Sequence, residues 1–337
     1  MLKAFAVAGS LVVTSLAAPA SAQGNPPTLS GITSLTVFGD SLVDAGNLNN
    51  VDPSRADPVQ GYFDGRFTNG YNYNDLISIA LFGTPTVAST EGGTNFAWGG
   101  ARATTTSGVP DLNEQLAFYQ AYLASGNSVD GDGLFILNFG GNDIFEAVNT
   151  GAPDGYASDS AFLLEAARNY AGAVQTLNDL GARNILVTGF PNAIGPALPF
   201  SREAEIYLLS ELAKLNLAGD TTLVTYSYLD FFGRLAADPT RFGFPADLNL
   251  TTSCRTAQAQ PDCAGYFSFD GTHPTAAVHR ALYDDLRSRF GITAAVPEPS
   301  TWMMLILGFA FIGGAMRRRN SGVAGSIQSR EMVVSQD

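Results

Sequence analysis

Short, continuous runs of apolar residues recur along the chain, each flanked by polar or glycine-rich stretches. They are Leu35–Phe38, Leu134–Leu137, Ile185–Val187 and Leu223–Tyr226. Such runs are typical of strands that are buried on both faces of a parallel sheet. The pattern therefore predicts an α/β protein with a doubly wound, mainly parallel sheet.

Longer segments with helical spacing alternate with these runs. They predict helices over 111–125, 160–180, 202–218 and 275–290. Asp111 is suited to cap the first helix, Gly181 to end the second, and Pro274 to open the last. Alternation of this kind places helices on both faces of a sheet.

Composition supports one large domain. The chain has 337 residues, of which 45% are hydrophobic, and a formal net charge of −13. This length and apolar content suffice for an ample core. Nucleic acid is not an expected partner, because a phosphate-binding surface needs clustered Lys and Arg, and the predicted domain has no such cluster.

Two short segments far apart in the chain hold the groups that acyl transfer needs. Ser41 follows the first predicted strand, at the end where open α/β sheets place their chemistry. Asp270 and His273 can share one tight loop, in which the carboxylate orients the imidazole and the other ring nitrogen faces Ser41. The other histidine of the chain, His279, lies in a helical pattern. We therefore predict Ser41 as nucleophile, His273 as base and Asp270 as its orienting carboxylate.

Several blocks, taken in chain order, resemble the GDSL (SGNH) serine hydrolases, and within them the branch of plant-type lipases and lecithinase/haemolysin-like enzymes. The blocks are Phe38–Asn47, Asn95–Ala101, Phe139–Asp143 and Asp270–Pro274, and Gly65–Gly70 is similar to a segment of the longer members. Each block alone is also a common turn sequence. Their joint occurrence in family order favours a hydrolase over turns.

The resemblance implies a three-layer α/β/α SGNH-hydrolase (flavodoxin-like) fold and an oxyanion hole. Attack of Ser41 on an ester carbonyl creates an oxyanion that needs hydrogen-bond donors. By resemblance these donors are the main-chain N–H groups of Ser41 and Gly100 and the side-chain amide of Asn142. Gly99 is the alternative to Gly100. The resemblance implies no metal and no cofactor.

The first residues predict a secretory signal peptide, since a lysine precedes an apolar run and a small-residue motif that ends at Ala22. We assign the chain to five parts: signal peptide 1–22, linker 23–33, hydrolase domain 34–292, sorting segment 293–319 and tail 320–337.

The sorting segment resembles the PEP-CTERM signal of Gram-negative bacteria that make extracellular polysaccharide. The box Pro297–Pro299 precedes an apolar stretch over 303–316, which ends at Arg317–Arg319. About fourteen apolar residues are short for a bilayer core, which takes about twenty, so we expect a transient anchor in the inner membrane. The resemblance implies an exosortase-type sorting protease as partner. It also implies export to the periplasm, the cell surface or the medium.

Export would place the two cysteines in an oxidising compartment, where disulfides form. Cys254 and Cys263 lie in a polar stretch without periodicity, so we expect a loop disulfide, with two free thiols as the alternative. A zinc site is not expected, because zinc needs four ligands at recognisable spacing.

These features together predict an exported serine esterase or lipase that hydrolyses carboxylic esters through an acyl-enzyme on Ser41. Two alternatives stay open: an O-acetyl esterase acting on an extracellular glycan, and a non-catalytic surface or matrix protein on the same fold. The substrate is accordingly an acyl ester, a lipid or an acetylated glycan. Aromatic residues after the serine block can line a pocket or pack the domain, and both readings stay open: Tyr62, Phe63, Phe67, Tyr71 and Tyr73.

Overall fold

The computed structural model describes residues 27–105, 107–192, 195–295 and 303–312. The predicted signal peptide, the Pro-Glu-Pro box, the arginine cluster and the tail lie outside the described residues. Within the described ranges, no helix has both the length and the apolar character needed to cross a membrane.

In the described part of the chain, the centre is a four-stranded parallel sheet with its strands side by side in chain order. The strands are β1 (Leu35–Gly39), β2 (Leu134–Asn138), β3 (Asn184–Thr188) and β4 (Thr222–Tyr226). The extended segment 94–98 hydrogen-bonds along the other edge of β1. Counted as a second strand, it gives the spatial order 2-1-3-4-5 of flavodoxin-like folds. The predicted strands and fold class are confirmed.

Helices cover both faces of this sheet. They are α1 (Asn47–Val51), α2 (Tyr73–Phe82), α3 (Leu112–Ala124), α4 (Gly141–Asn149), α5 (Asp159–Leu180), α6 (Leu198–Leu212), α7 (Tyr228–Ala237) and α8 (Ala276–Phe290). Side chains of β2 alternate between the two faces, as strand geometry requires. Phe135 and Leu137 share one core with α3 to α6, whereas Leu134 and Ile136 share the other with α2, α7 and α8. The result is three layers with an apolar core on each side of the sheet.

Three details of the helix predictions are wrong. Helix α6 begins before the predicted residue 202, because Pro199 fits the first turn, where its missing N–H costs nothing. It ends at Leu212 because the following chain bonds to α5 instead, and Asn178 Oδ1 accepts from the Ala218 N–H at 3.0 Å. Asp111 precedes α3 but does not cap it, since its carboxylate accepts N–H groups of the preceding loop.

The residues just before β1 pack against the end of the domain. Leu29 and Ile32 are buried, and their main chains exchange hydrogen bonds with residues 290–295. This short pairing brings the two ends of the domain together.

A buried ion pair braces the loop between β1 and α2. Arg66 Nε and Nη2 lie 3.0 and 3.2 Å from the two carboxylate oxygens of Asp75, and Nη2 also donates to the Thr86 carbonyl at 3.1 Å. Both side chains are almost fully buried, at 5% and 0% exposure. Arg66 also pairs with the exposed Asp64 at 2.9 Å, but loss of Asp75 would leave its buried guanidinium without a buried counter-charge.

Replacing Asp75 by Asn should therefore lower the free energy of unfolding by about 3 to 5 kcal/mol, measured by urea denaturation. The matched control is Asp284→Asn, which removes an exposed pair with Arg280 on α8 and should cost less than about 0.5 kcal/mol. Equal losses in the two variants would contradict a structural role for the buried pair.

Candidate active site

Three loops leave the sheet side by side, at the carboxyl ends of its strands. Ser41 follows β1, Asn142 follows β2, and Gly99 and Gly100 follow the segment 94–98. The connections lead to segment 94–98 on one side of β1 and to β2 on the other. The carboxyl end of β1 is therefore the topological switch point, where α/β folds bind ligands.

Ser41, His273 and Asp270 form one chain of hydrogen bonds. Ser41 Oγ lies 2.7 Å from His273 Nε2, and His273 Nδ1 lies 2.7 Å from Asp270 Oδ2. The other carboxylate oxygen, Oδ1, accepts the main-chain N–H groups of Thr272 and His273 at 2.9 and 2.8 Å. The loop turns at Gly271, whose φ of 106° favours glycine. The structure thus brings together the three residues that sequence reasoning selected.

The charge of Asp270 suits an orienting carboxylate. Burial alone raises its pKa, but the hydrogen bond and charge of His273 and the two N–H donors outweigh burial and hold the pKa below its usual range. The carboxylate therefore stays ionised and can stabilise an imidazolium.

His279 has a different environment. It is 2% exposed and stacks on Tyr73, and burial lowers its pKa to about 3. It is a neutral residue of the core at working pH.

The two glycines after segment 94–98 are required for different reasons. The N–H of Gly99 donates to Asp44 Oδ2 at 2.8 Å, and a Cβ on Gly99 would lie 2.5 Å from the Phe67 ring. Gly100 has a φ of 87°. Because the N–H of Gly99 is already used inside the protein, the geometry favours Gly100 as the donor to a ligand.

Asn142 lies in the first turn of α4. Its Nδ2 donates to the Ala101 carbonyl at 2.8 Å, which leaves the second hydrogen of the amide for another acceptor. Asn142 lines a cavity together with Ser41 and His273, whereas Gly100 lies in the adjoining loop and does not line it.

The cavity beside Ser41 has a volume of about 450 Å³. Its apolar walls come from α4, α7, the loops after β1 and β3, and the segment between α7 and α8: Leu42, Phe145, Pro191, Pro196, Ala197, Phe232, Leu250 and Phe267. A cavity of this size and character suits the acyl part of an ester. Sequence reasoning missed these residues because they approach one another only through the fold.

The aromatic residues after the serine block are absent from the described walls of this cavity. Phe67 packs on the His273 ring, with centroids 5.3 Å apart, and Tyr62 donates to Asp270 Oδ2. The hydroxyl of Tyr73 donates to Asn138 Oδ1 at 3.1 Å. These three therefore pack and support the site.

A buried polar network lies next to Ser41. Asp40, 2% exposed, accepts the Leu42 N–H at 3.0 Å and the Asn138 amide at 3.1 Å. Asn138 in turn accepts the hydroxyls of Tyr73 and Tyr228. Burial raises the pKa of Asp40 to about 7, although the hydrogen bond from Leu42 opposes the rise.

The segment that is typical of the longer family members connects the serine side of the chain to the histidine loop. Thr68 Oγ1 donates to the Pro274 carbonyl at 2.8 Å. Asn69 accepts the Ala276 N–H at 2.8 Å and donates to the Pro261 carbonyl at 3.2 Å. This segment therefore holds the residues that follow His273 and also contacts the disulfide loop.

Cys254 and Cys263 form a disulfide with their Cα atoms 5.4 Å apart, and both are buried. Among the residues that the structure describes, no group of three or more His, Cys, Asp or Glu side chains could hold a metal ion.

The parallel sheet between two helical layers, with serine, glycine and asparagine loops at one edge, is the architecture of SGNH-type hydrolases. The model of the GDSL-like Lipase/Acylhydrolase family matches residues 35–286, and the chain belongs to this family. The PEP-CTERM protein-sorting motif matches residues 295–319 and indicates export in a Gram-negative bacterium. Both resemblances predicted from the sequence are confirmed.

Three curated relatives illustrate the family. The thermolabile hemolysin of Vibrio parahaemolyticus is 27% identical over 283 residues, which cover 76% of this chain and 63% of that protein. Lipase 1 of Photorhabdus luminescens is 34% identical over 47% of this chain and 22% of its own length. A GDSL esterase/lipase of Arabidopsis thaliana is 32% identical over 45% of this chain and 51% of its own length. The chain spans less than two thirds of each relative.

Solved structures are more distant. The acetylxylan esterase Axe2 from Geobacillus stearothermophilus has a TM-score of 0.41 and 13% identity, covering 78% of this chain and 96% of that chain. LAE5, an α/β hydrolase enzyme from the metagenome of Lake Arreo, has a TM-score of 0.42 and 11% identity, covering 78% and 97%. Similarities of this extent carry no argument about substrate.

Asp40 should make stability depend on pH. Its pKa rises from 3.8 to about 7 on folding, so the folded state binds the proton more tightly than the unfolded state. The contribution of Asp40 to the free energy of unfolding should fall by up to about 4 kcal/mol as pH rises from about 4 to about 7.

The measurement is urea denaturation of wild type and Asp40→Asn at several pH values between 4 and 8. The stability of wild type relative to the variant should decline across this window, while Asp284→Asn should follow wild type at every pH. A constant difference between wild type and Asp40→Asn would contradict the shifted pKa.

Proposed function

We propose that this protein is an exported serine esterase or lipase that hydrolyses carboxylic esters through an acyl-enzyme on Ser41. The observation that carries the proposal is the hydrogen-bonded chain from Ser41 through His273 to Asp270, beside an apolar cavity. Membership of the GDSL-like lipase/acylhydrolase family supports the same reaction.

The first half of the reaction forms the acyl-enzyme. Ser41 Oγ attacks the ester carbonyl carbon while His273 Nε2 takes the hydroxyl proton, and Asp270 stabilises the imidazolium. The carbonyl oxygen becomes an oxyanion that accepts hydrogen bonds from the N–H groups of Ser41 and Gly100 and from the Asn142 amide. Each such donor contributes about a hundredfold to a thousandfold in rate.

The second half regenerates the serine. As the tetrahedral intermediate collapses, the C–O bond to the alcohol breaks and His273 returns the proton to the leaving alcohol. His273 then takes a proton from water, which attacks the acyl carbon and releases the carboxylic acid from Ser41.

The walls of the cavity favour an acyl chain over a bare acetyl group. Leu42, Phe145 and Phe232 offer apolar surface next to the serine, and each methylene buried there contributes about 0.8 kcal/mol. A glycan O-acetyl esterase is the second candidate, and the sorting motif favours it because that signal resembles those of polysaccharide-producing bacteria.

The test compares wild type with Ser41→Ala on the p-nitrophenyl esters of acetate, butyrate and palmitate. We expect the variant to lose at least about a thousandfold in kcat, because the nucleophile is gone while the fold remains. A fluorophosphonate probe should label wild type at Ser41 alone. The matched control is Ser210→Ala on the exposed surface of α6, which should keep full activity.

The outcomes separate the alternatives. Activity that survives in Ser41→Ala would refute the proposed mechanism. A folded wild type that is inactive on all three esters but removes acetyl groups from a glycan would favour the second candidate. Inactivity on both would favour a non-catalytic surface protein.

We also propose that the C-terminal segment anchors the protein transiently in the inner membrane until an exosortase-type protease acts on it. The sorting motif at 295–319 supports this step, and so does the helix at 303–312, whose apolar side chains are exposed.

Mass spectrometry of the mature protein from its native cells should accordingly find no peptide beyond the Pro297–Pro299 box. Glu298→Ala should retain the segment, because the box would no longer be recognised. Mature surface protein that carries an intact C-terminus would refute the processing step.

A further inference from the structure

The carboxylate of Asp270 has a donor that the triad does not require. Tyr62 Oη donates to Asp270 Oδ2 at 2.8 Å, and His273 Nδ1 contacts the same oxygen at 2.7 Å. Tyr62 comes from the loop between β1 and α2, far from Asp270 in sequence. One carboxylate oxygen is therefore shared between the catalytic base and a phenol.

Arg255 determines which way the phenol points its proton. Arg255 Nη1 donates to Tyr62 Oη at 3.0 Å, and Nη2 donates to Gln60 Oε1 at 2.6 Å. A guanidinium has donors and no acceptor. The Tyr62 hydroxyl must therefore accept from Arg255 and donate to Asp270.

Packing contacts also hold the ring of Tyr62 in place. It meets Phe269 edge to face with centroids 5.1 Å apart and Phe67 with centroids 6.2 Å apart. The Arg255 guanidinium carbon lies 5.1 Å from the centre of the same ring. Few other positions of this side chain are compatible with these contacts.

The loop closed by the Cys254–Cys263 disulfide positions Arg255 next to Tyr62. The N–H groups of Cys254 and Arg255 donate to the carbonyls of Ser268 and Phe269, both at 2.9 Å, and Cys254 is bonded to Cys263. The two cysteines and Phe269 form a small apolar cluster against which Tyr62 packs. The loop is thereby attached to the residues that immediately precede Asp270.

We propose that Tyr62, oriented by Arg255 of the disulfide loop, is a positioning residue that holds Asp270 and withdraws part of its negative charge from His273. This inference rests on the proposed esterase function. Burial, followed by the neighbouring Asp270, raises the pKa of Tyr62 to about 12, so the phenol remains a donor across the working range of pH.

The consequence is a shift in the pH dependence of catalysis. Without the Tyr62 hydroxyl, Asp270 Oδ2 carries more negative charge toward His273 and stabilises the imidazolium more strongly. The neutral base then forms only at higher pH. The acidic limb of kcat/KM should move up by about 0.5 to 1 pH unit, the scale of a partial loss of one charge-assisted hydrogen bond.

Other ionisable groups also act on His273. They are Asp40 beneath the nucleophile, His279 on α8, Asp270 itself and, through Tyr62, Arg255. Tyr62→Phe leaves all of them in the chain. The difference between the profiles of wild type and variant therefore reports the hydroxyl.

The experiment measures kcat/KM for p-nitrophenyl butyrate from pH 5 to 9 in wild type, Tyr62→Phe and the control Tyr71→Phe. Tyr71 pairs with Phe63 in the same loop and should keep the wild-type profile. We expect the acidic limb to shift upward in Tyr62→Phe alone. A uniform loss of activity at every pH, with the limb unmoved, would overturn the proposal.

Arg255→Lys provides a second route if Tyr62→Phe does not fold. Lysine keeps the positive charge but loses the planar fork that reaches both Tyr62 and Gln60. A smaller upward shift of the same limb is expected, and an unmoved limb would overturn the proposal.

The two proposals fail in distinguishable ways. If Ser41→Ala remains as active as wild type, the esterase mechanism is wrong and this inference falls with it. If Ser41→Ala is inactive and Tyr62→Phe has the wild-type profile, only the role of Tyr62 is refuted.

Discussion

Buried carboxylates hold together the loops that carry Ser41, Gly100 and Asn142. Asp44 accepts the Gly99 N–H, and Asp143 accepts the N–H groups of Ala103 and Thr104. Each bond joins segments that are far apart in sequence and that leave different elements of the sheet. Burial of these groups opposes ionisation and raises the pKa of Asp44 to about 6, so several N–H donors are needed to offset the cost. The geometry of the loop at Gly99 and Gly100 depends on this balance.

The loop that carries Asp270 and His273 is supported by a distant part of the chain. Thr68 and Asn69 bond to Pro274 and Ala276, which follow His273, and Tyr62 bonds to Asp270. All three belong to the stretch between β1 and α2, which also holds the buried Arg66. The histidine block is therefore held by the segment between β1 and α2, which includes residues 65–70.

The proposed chemistry uses the contrast between these polar supports and the apolar cavity beside them. Asp270 keeps its pKa low because His273 and two N–H groups outweigh burial, whereas Asp40 is buried with fewer donors and has a raised pKa. Asp40, next to Ser41, and Asp270, next to His273, thus differ in charge near neutral pH. Their environments differ because Asp270 contacts the His273 ring on a partly buried loop, whereas Asp40 is almost fully buried beside Ser41.

Local patterns in the sequence were enough for the strands, the layers and the choice of Ser41, Asp270 and His273. Apolar runs report burial on both faces of a sheet, and block order reports which loops meet at its edge. Only the tertiary structure showed that the Gly99 N–H is already bonded, where α6 begins and ends, and which side chains line the cavity. These depend on partners distant in sequence, such as Asp44 for Gly99 and Asn178 for the chain after α6. A linear pattern carries no record of such contacts, because they exist only once the sheet has brought its loops together.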